Sequence, residues 1–434
     1  MPADPAAPPI AADDDDPGGR PARRLVGVIV LIAAVPVLYL LASPHNFFDL
    51  RIYMSAMRWW ADGNPLYDYV QPDRVQGELY FTYPPFAALL LRPFAGLPVG
   101  LTIAIFTILT IAGAVVTTWW LVTPVAVRHN IPRWFALGVA VPLVFAAEST
   151  RETITFGQIN MVLVVLILAD LLFAVPRGSR WAGVGIGLAT AIKLYPGIFI
   201  VYLLAARRWR EAATASATAA LATLLAAALA PGDSWRFFTH ELWATDRVGR
   251  TDYTGNQSLF GMLSRFCAPE KPDRVLWLAL VAVVAAYGLW RAARAARAGD
   301  QLSGLTLTGL VGSLASPITW THHVYWFIPA VLVLVDAGLR TPVTSRIPSP
   351  RAGELGPRRR RALLILAAAV YACVAYGVVS FHDWGVAPER TNSPVEFVLR
   401  NMYVLLALLL LVVLPVGHRV LPAGRTAPTV RARG

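Results

Sequence analysis

Asn46-Phe47-Phe48-Asp49-Leu50-Arg51-Ile52-Tyr53 directly follows a long apolar segment, Leu25 to Ala42. A segment of that length crosses a hydrocarbon layer of roughly 30 Å at about 1.5 Å per residue. Asp49 therefore sits just past a membrane edge. Asn46 is placed to cap a helix from about Phe47 to Ala61, with Asp49 in its first turn, where the helix dipole favours an ionised carboxylate. Tyr53 lies four residues on, on the same face. Ile52, Ala56, Trp59 and Trp60, with Arg51 and Arg58 elsewhere around the helix, predict an amphipathic helix lying on the bilayer. An ionised, partly desolvated carboxylate at a membrane surface is a candidate general base. A plain helix-stabilising Asp fits the same stretch.

Composition supports the membrane reading. Of 434 residues, 56% are hydrophobic and only 15% charged, against about 25% charged in soluble proteins. Mean hydropathy is +0.55. Net charge is +12, but the arginines cluster in short segments between apolar runs, as in cytoplasmic loops, which argues against a nucleic-acid partner. Lys193 and Lys271 are the only lysines. Cys267 and Cys373 fit no metal spacing, and Cys373 falls within an apolar run, so no bridge between them is predicted. The first apolar segment has no convincing small-residue cleavage site and reads as a retained span.

The pattern predicts an all-α polytopic protein with about twelve spans and both ends cytoplasmic. Residues 1–24, rich in Pro, Ala, Asp and Gly, read as a disordered cytoplasmic tail. Residues 25–416 form a single transmembrane domain, with outer loops at 44–100 and 231–273, and 417–434 is a second cytoplasmic tail. The run Phe86 to Leu97 is short and contains Arg92 and Pro93, so it reads as re-entrant or interfacial. Counting it as a span would invert every later loop and place the arginine clusters outside. The sequence shows no internal repeat and no soluble domain.

This topology gathers the unusual polar residues on the outer face: Asp49, Arg51, Tyr53, Tyr83, Glu148, Arg151, Gln158, Asn160, Lys193, Asn256, Gln257, His322 and His323. Several lie at or inside the apolar boundary, where ionisable groups are costly and usually functional. Lys193 precedes Leu194-Tyr195-Pro196-Gly197, where Pro196 and Gly197 are expected to break the helix. A cation at such a break suits a phosphate on a lipid carrier, although an ion pair or snorkelling to the interface would also place it there. Arg151, beside Glu152, suits a phosphate or sugar, or a structural salt bridge. Gln158, Asn160, Asn256 and Gln257 suit hydroxyl recognition or helix capping. His322-His323 is not a metal motif, since adjacent side chains diverge and no carboxylate ligand is suitably spaced. Either ring suits a hydrogen bond or proton to a leaving phosphate.

Taken in order, these residues resemble the multi-spanning GT-C glycosyltransferases. More narrowly, they are similar to the actinobacterial family 87 α-mannosyltransferases that use polyprenyl-phosphate-mannose. The matching stretches are Asp49-Leu50-Arg51-Ile52-Tyr53, Phe81-Thr82-Tyr83-Pro84-Pro85, Gly157-Gln158-Ile159-Asn160, Lys193-Leu194-Tyr195-Pro196, Gly255-Asn256-Gln257-Ser258-Leu259, and Ser316-Pro317 followed by His322-His323. The resemblance implies an enzyme of the plasma membrane with its catalytic face outward. Asp49 would be the base that activates an acceptor mannose hydroxyl against a β-linked donor, giving an α linkage by single inversion. Lys193, Arg151, His322 and His323 would stabilise the leaving phosphate. Arg51, Tyr53, Tyr83, Glu148, Gln158, Asn160, Asn256 and Gln257 would bind substrate. The implied acceptors are phosphatidylinositol mannosides, lipomannan or lipoarabinomannan, with α-1,2 linkage. No cofactor or metal is implied, and the enzyme is expected to be a monomer surrounded by membrane lipids. Two rival readings stay open: a transferase for another polyprenyl-phosphate sugar such as arabinose, and a flippase or transporter for a lipid-linked sugar. The second usually brings inverted repeats and paired broken helices, which the sequence does not clearly show.

Overall fold

In lipid a backbone can hydrogen-bond only to itself, and the apolar runs accordingly fold as helices. The computed structural model describes residues 26–31, 34, 38, 43–73, 77–244, 247, 249–340, 356–378 and 390–416. The tails at 1–24 and 417–434, most of the first apolar segment, the inner loop at 341–355 and most of the last outer loop lie outside the described residues.

After helical residues at 26–31 come α1 (Phe48–Ala61), a two-stranded antiparallel hairpin of β1 (Val70–Asp73) and β2 (Gly77–Tyr80), and the short α2 (Pro85–Leu91). Next come α3 (Val99–Arg128), α4 (Arg133–Ala146), α5 (Glu148–Phe156) and α6 (Asn160–Ala169). A broken pair, α7 (Val184–Ile192) and α8 (Ile198–Ala205), leads to α9 (Trp209–Leu229). The region 231–273 folds in part as α10 (Pro231–Thr239) and α11 (Leu259–Cys267). The remaining helices are α12 (Arg274–Arg297), α13 (Gln301–Ala315), α14 (Phe327–Leu339), α15 (Pro357–Tyr376), α16 (Pro394–Arg400) and α17 (Met402–Val413).

Among the described residues, three helices, α3, α9 and α12, are each long and apolar enough to cross a membrane, and α16 with α17 is so across a 77° bend. Their outward side chains are large and apolar, as at Leu221, Leu224 and Val283, which in water would be an aggregation surface and in lipid is matched solvent. The protein is a helical membrane protein. Its main core runs between α6, α7, α8, α13, α14 and α17, and includes Leu168, Ile186, Phe199, Leu310, Trp326 and Val404.

A smaller apolar cluster of Leu50, Met54, Met57, Tyr67, Phe81 and Phe237 packs beneath α1 and the hairpin and fixes α1. The helix starts at Phe48, after Phe47 in the left-handed region at φ 50°. Asn46 does not occupy the cap position, but its Oδ1 accepts the Phe48 N–H at 3.1 Å. Of the residues expected to rest on lipid, Ile52 and Ala56 are instead buried in protein, and the Trp60 indole donates to Asp233 at 2.9 Å. Trp59 remains outward at 37% exposure. The reason is the apolar cluster itself: a helix with six buried residues gains more by packing on protein than on a lipid surface.

Buried polar residues between α10 and α12 hold helix breaks. Where α16 turns into α17, Gln257 donates to the Arg400 carbonyl at 2.8 Å, and its Oε1 accepts the Tyr403 N–H at 3.1 Å. The fully buried Arg265 donates to Asn401 Oδ1 and to the carbonyls of Tyr253 and Asn256 at 2.6–3.1 Å. A bent span leaves backbone groups without intrahelical partners, and these side chains supply them. On the opposite side, Asp336 of α14 gathers Arg128, His129 and Arg340.

Gly157, at φ 69°, ends α5 and lets α1 approach: an added Cβ would stand 2.7 Å from the Cβ of Leu50. The Phe47 N–H donates to the Thr155 carbonyl at 2.8 Å beside it. Gly157→Ala is expected to destabilise the protein by about 1–3 kcal/mol through overpacking and the left-handed backbone. Thermal unfolding in detergent measures this against Gly96→Ala, where an added Cβ meets nothing within 4 Å. Equal melting temperatures for the two variants would mean that α1 does not depend on this contact.

Candidate active site

The close approach of α1 to α5 brings Asp49 to the wall of a cavity of about 570 Å³. The cavity lies between α1, the hairpin, the start of α6, the α7–α8 break and the turn before α14. Asp49, Tyr53, Tyr83, Gln158, Asn160, Lys193, His322 and His323 all line it. Residues far apart in sequence thus converge on one space.

Asp49 is half-buried and accepts the Gln158 amide at 2.5 Å. The helix dipole favours its ionised form, and burial in the site works against that preference. Burial raises the carboxyl to about 6, opposed by the Gln158 hydrogen bond and the charge of Lys193. Gln158 Oε1 accepts the Tyr83 hydroxyl at 2.9 Å, and the Tyr83 hydroxyl lies 2.7 Å from that of Tyr53. Both phenols are pushed up by burial.

Lys193 faces the same space because the backbone leaves the helix at this residue, with φ −147° and ψ 129°. The break therefore precedes Pro196 and Gly197, which lie in a 3-10 turn, Tyr195–Gly197, that starts the next helix. Proline is tolerated there because the first N–H groups of a helix have no intrahelical partner. The Lys193 ammonium position is 3.3 Å from Tyr83 Oη, 3.2 Å from Asn160 Oδ1 and 2.8 Å from His323 Nε2. It also lies 5.0 Å over the Tyr83 ring. Burial lowers this amine to about 7, partly countered by Asp49.

The two histidines differ. His323 accepts the Trp320 N–H on Nδ1 at 3.1 Å. His322 is 5% exposed, with its ring between Phe156 and His323, and neither ring nitrogen has a partner among the described residues. Burial and the neighbouring Lys193 hold both rings well below the usual imidazole range. A buried imidazole without a partner is costly unless a ligand supplies one.

Other expected site residues stand apart from the cavity. Arg51 is exposed and donates to the Asn46 carbonyl at 2.9 Å. Arg151 donates to the carbonyls of Ala146 and Ala375, and Glu148 accepts from the Tyr403 hydroxyl. Asn256 donates to the carbonyls of Thr251 and Pro317 and accepts the Thr319 N–H, so with Gln257 it shapes the loops behind the site. Their polar groups satisfy backbone at helix ends, a demand that sequence cannot separate from ligand binding.

The structure adds Arg247, which the sequence did not single out, and places Glu152, which the sequence set beside Arg151, at the cavity. Glu152 lines the cavity and accepts from the Thr321 hydroxyl. Arg247 lines it over the Tyr80 ring at 4.0 Å, paired with Glu241 at 2.7 Å. For Arg247 the one available signal was its place with Glu241 in the polar region 231–273. Among the described residues, no three His, Cys, Asp or Glu side chains converge as metal ligands.

Comparison with known proteins identifies the family. Residues 81–317 match the model of glycosyltransferase family 87, a segment that includes Tyr83, Gln158, Asn160 and Lys193 but neither Asp49 nor the histidine pair. A polyprenol-phosphate-mannose-dependent alpha-(1-2)-phosphatidylinositol mannoside mannosyltransferase of Mycobacterium tuberculosis is 35% identical, over 74% of this chain and 79% of its own length. A pentamannoside mannosyltransferase of the same description from Mycolicibacterium smegmatis is 34% identical, over 74% and 77%. An alpha-(1->3)-arabinofuranosyltransferase of M. tuberculosis is 30% identical, over 59% and 56%. With a family match over more than half its length and relatives of this identity across most of their own, the chain belongs to glycosyltransferase family 87.

Proposed function

We propose that this enzyme is an inverting GT-C-type mannosyltransferase. It moves mannose from polyprenyl-phosphate-mannose to a mannosyl hydroxyl of a phosphatidylinositol mannoside, or of lipomannan or lipoarabinomannan, with α-1,2 linkage. The mannosyltransferase relatives support the donor and acceptor class. The observation that carries the reading is one cavity holding a carboxylate, Asp49, and a lysine, Lys193, linked through Gln158 and Tyr83. Transfer needs both: a base for the acceptor proton and a cation for the phosphate that leaves.

Asp49 takes the acceptor proton as the hydroxyl oxygen attacks the anomeric carbon and the bond to the phosphate breaks. Gln158 fixes the carboxylate. Lys193 and His322 face the leaving phosphate, His322 filling its open ring nitrogens from the ligand. The arabinofuranosyltransferase relative supports a second reading, a furanosyl donor in the same cavity. Product analysis with radiolabelled polyprenyl-phosphate-mannose against the arabinose donor separates the two. The enzyme acts as a monomer with about twelve spans, its cavity open to the outer face of the plasma membrane, and the Trp59 edge of α1 touching the lipid interface.

Three outcomes test this account. Asp49→Asn is expected to keep donor binding while losing about 10²–10⁴-fold in kcat, and Asp49→Glu about 10²-fold from displacement of the carboxylate. An Asn variant at parental turnover would pass the base role to another carboxylate.

The pH profile should be bell-shaped. Asp49 works ionised, so its limb rises through its raised value of about 6. Lys193 works as a cation, so activity falls above its lowered value of about 7. Lys193→Arg, which stays charged, should flatten the falling limb of kcat/KM.

In a background without Cys267 and Cys373, Asp62→Cys should react with an impermeant thiol reagent applied outside intact cells, and Arg207→Cys should not. Labelling of Arg207→Cys would overturn the outward site.

A further inference from the structure

Hydrogen bonds around Lys193 run in one direction only. The Trp320 N–H points into His323 Nδ1, so that nitrogen carries no proton and the neutral ring carries its proton on Nε2. Nε2 stands 2.8 Å from Lys193 Nζ. Its N–H must therefore donate to the amine, and an ammonium has no lone pair to receive it. The other two contacts of Nζ need donors from it. Asn160 Oδ1 is an acceptor because its amide nitrogen donates to the His322 carbonyl at 3.2 Å. Tyr83 Oη spends its single proton on Gln158 Oε1, because the Gln158 amide nitrogen is turned to Asp49. It can then accept from both Tyr53 and Lys193. An –NH₂ group, with two protons and one lone pair, satisfies all three neighbours; –NH₃⁺ leaves two donors facing each other.

We infer that His323 is a positioning residue that holds Lys193 as the neutral amine in the empty site, so that binding of the donor's phosphodiester anion takes up one proton from solvent onto Lys193. The proton converts –NH₂ to –NH₃⁺, and no covalent bond other than this N–H forms or breaks. The third N–H turns from His323 to a phosphate oxygen, and the freed Nε2–H of His323 can follow to the same anion. The ionisable groups facing Lys193 from the surrounding elements are Asp49 and Tyr53 on α1, Tyr83, His322 and His323, with Glu152 across the cavity. The lowered affinity of the amine for protons agrees with this count. The inference rests on the proposed donor, a polyprenyl phosphodiester. A neutral resting lysine lets the site shed its charge when empty, and ties the cation to the presence of the substrate it serves.

Calorimetry on the full-length enzyme in detergent tests it, with a short-chain polyprenyl-phosphate-mannose and no acceptor. The phosphodiester keeps a single fixed charge, so it does not titrate itself. Binding at pH 8 in two buffers of different ionisation enthalpy should show uptake of about one proton per donor, and Kd should weaken up to about tenfold per pH unit between pH 7.5 and 8.5. Lys193→Arg should take up none. His323→Gln, whose amide oxygen can accept from an ammonium, should take up less than half the parental amount. Asp49→Asn should keep the uptake. A parent enzyme that binds the donor with no uptake and a flat Kd across this window overturns the inference while leaving mannosyl transfer intact. Loss of the uptake in Asp49→Asn would move the proton to the carboxylate and overturn it too. A parent enzyme that does not bind this donor at all would refute the proposed function, and the inference with it.

Discussion

Desolvation of a carboxylate and an amine within one cavity is the constraint on which the site depends. Asp49 and Lys193 are each shifted toward neutrality by burial, and each is drawn back by the other. Placed in direct contact they would form a closed ion pair, stable and chemically idle. The fold avoids this by inserting Gln158 and Tyr83 between them. The amide and phenol orient both groups without neutralising either, which leaves room for a substrate to complete the charge balance. Preorganised groups of this kind stabilise developing charge without having to move when it appears.

Holding that geometry is the work of a second set of polar residues behind the cavity. Arg265, Asn256, Gln257 and Asn401 knit the outer loops to the bent α16–α17 pair through backbone carbonyls and N–H groups. None touches the cavity. Buried and almost wholly satisfied, such a network fixes one arrangement of loops, since each alternative would strand a polar group in an apolar setting. The apolar cluster under α1 does the same for the helix that carries Asp49 by shape.

Much of this was legible in the sequence, for a physical reason. Ionisable and amide residues beside apolar runs are expensive, so Asp49, Gln158, Asn160, Lys193, His322 and His323 stand out, and they do meet in one cavity. The same signal also raised Arg51, Arg151, Glu148, Asn256 and Gln257, which instead satisfy backbone or other side chains. Sequence marks a polar group that needs a partner at the membrane edge; it does not say whether that partner is a carbonyl or a substrate. The positions of helix breaks were also displaced. Lys193 breaks its helix ahead of Pro196, and α1 turns Ile52 and Ala56 inward, because tertiary packing overrides local preference. Arg247 carried no motif and became visible only through proximity.

The side chains of the site come from positions 49, 83, 158, 160, 193, 322 and 323, spread across nearly two thirds of the chain. Membrane insertion proceeds from the N-terminus during synthesis. The segment carrying Asp49 is therefore made well before the ribosome has made the histidine pair. Until that pair is delivered, the half-built cavity exposes Asp49 and Lys193 without their full complement of neighbours. The order of synthesis thus imposes a waiting period on the early segments, during which the apolar cluster beneath α1 must keep them in place. That cluster forms largely from residues before position 110, which are among the first to leave the ribosome.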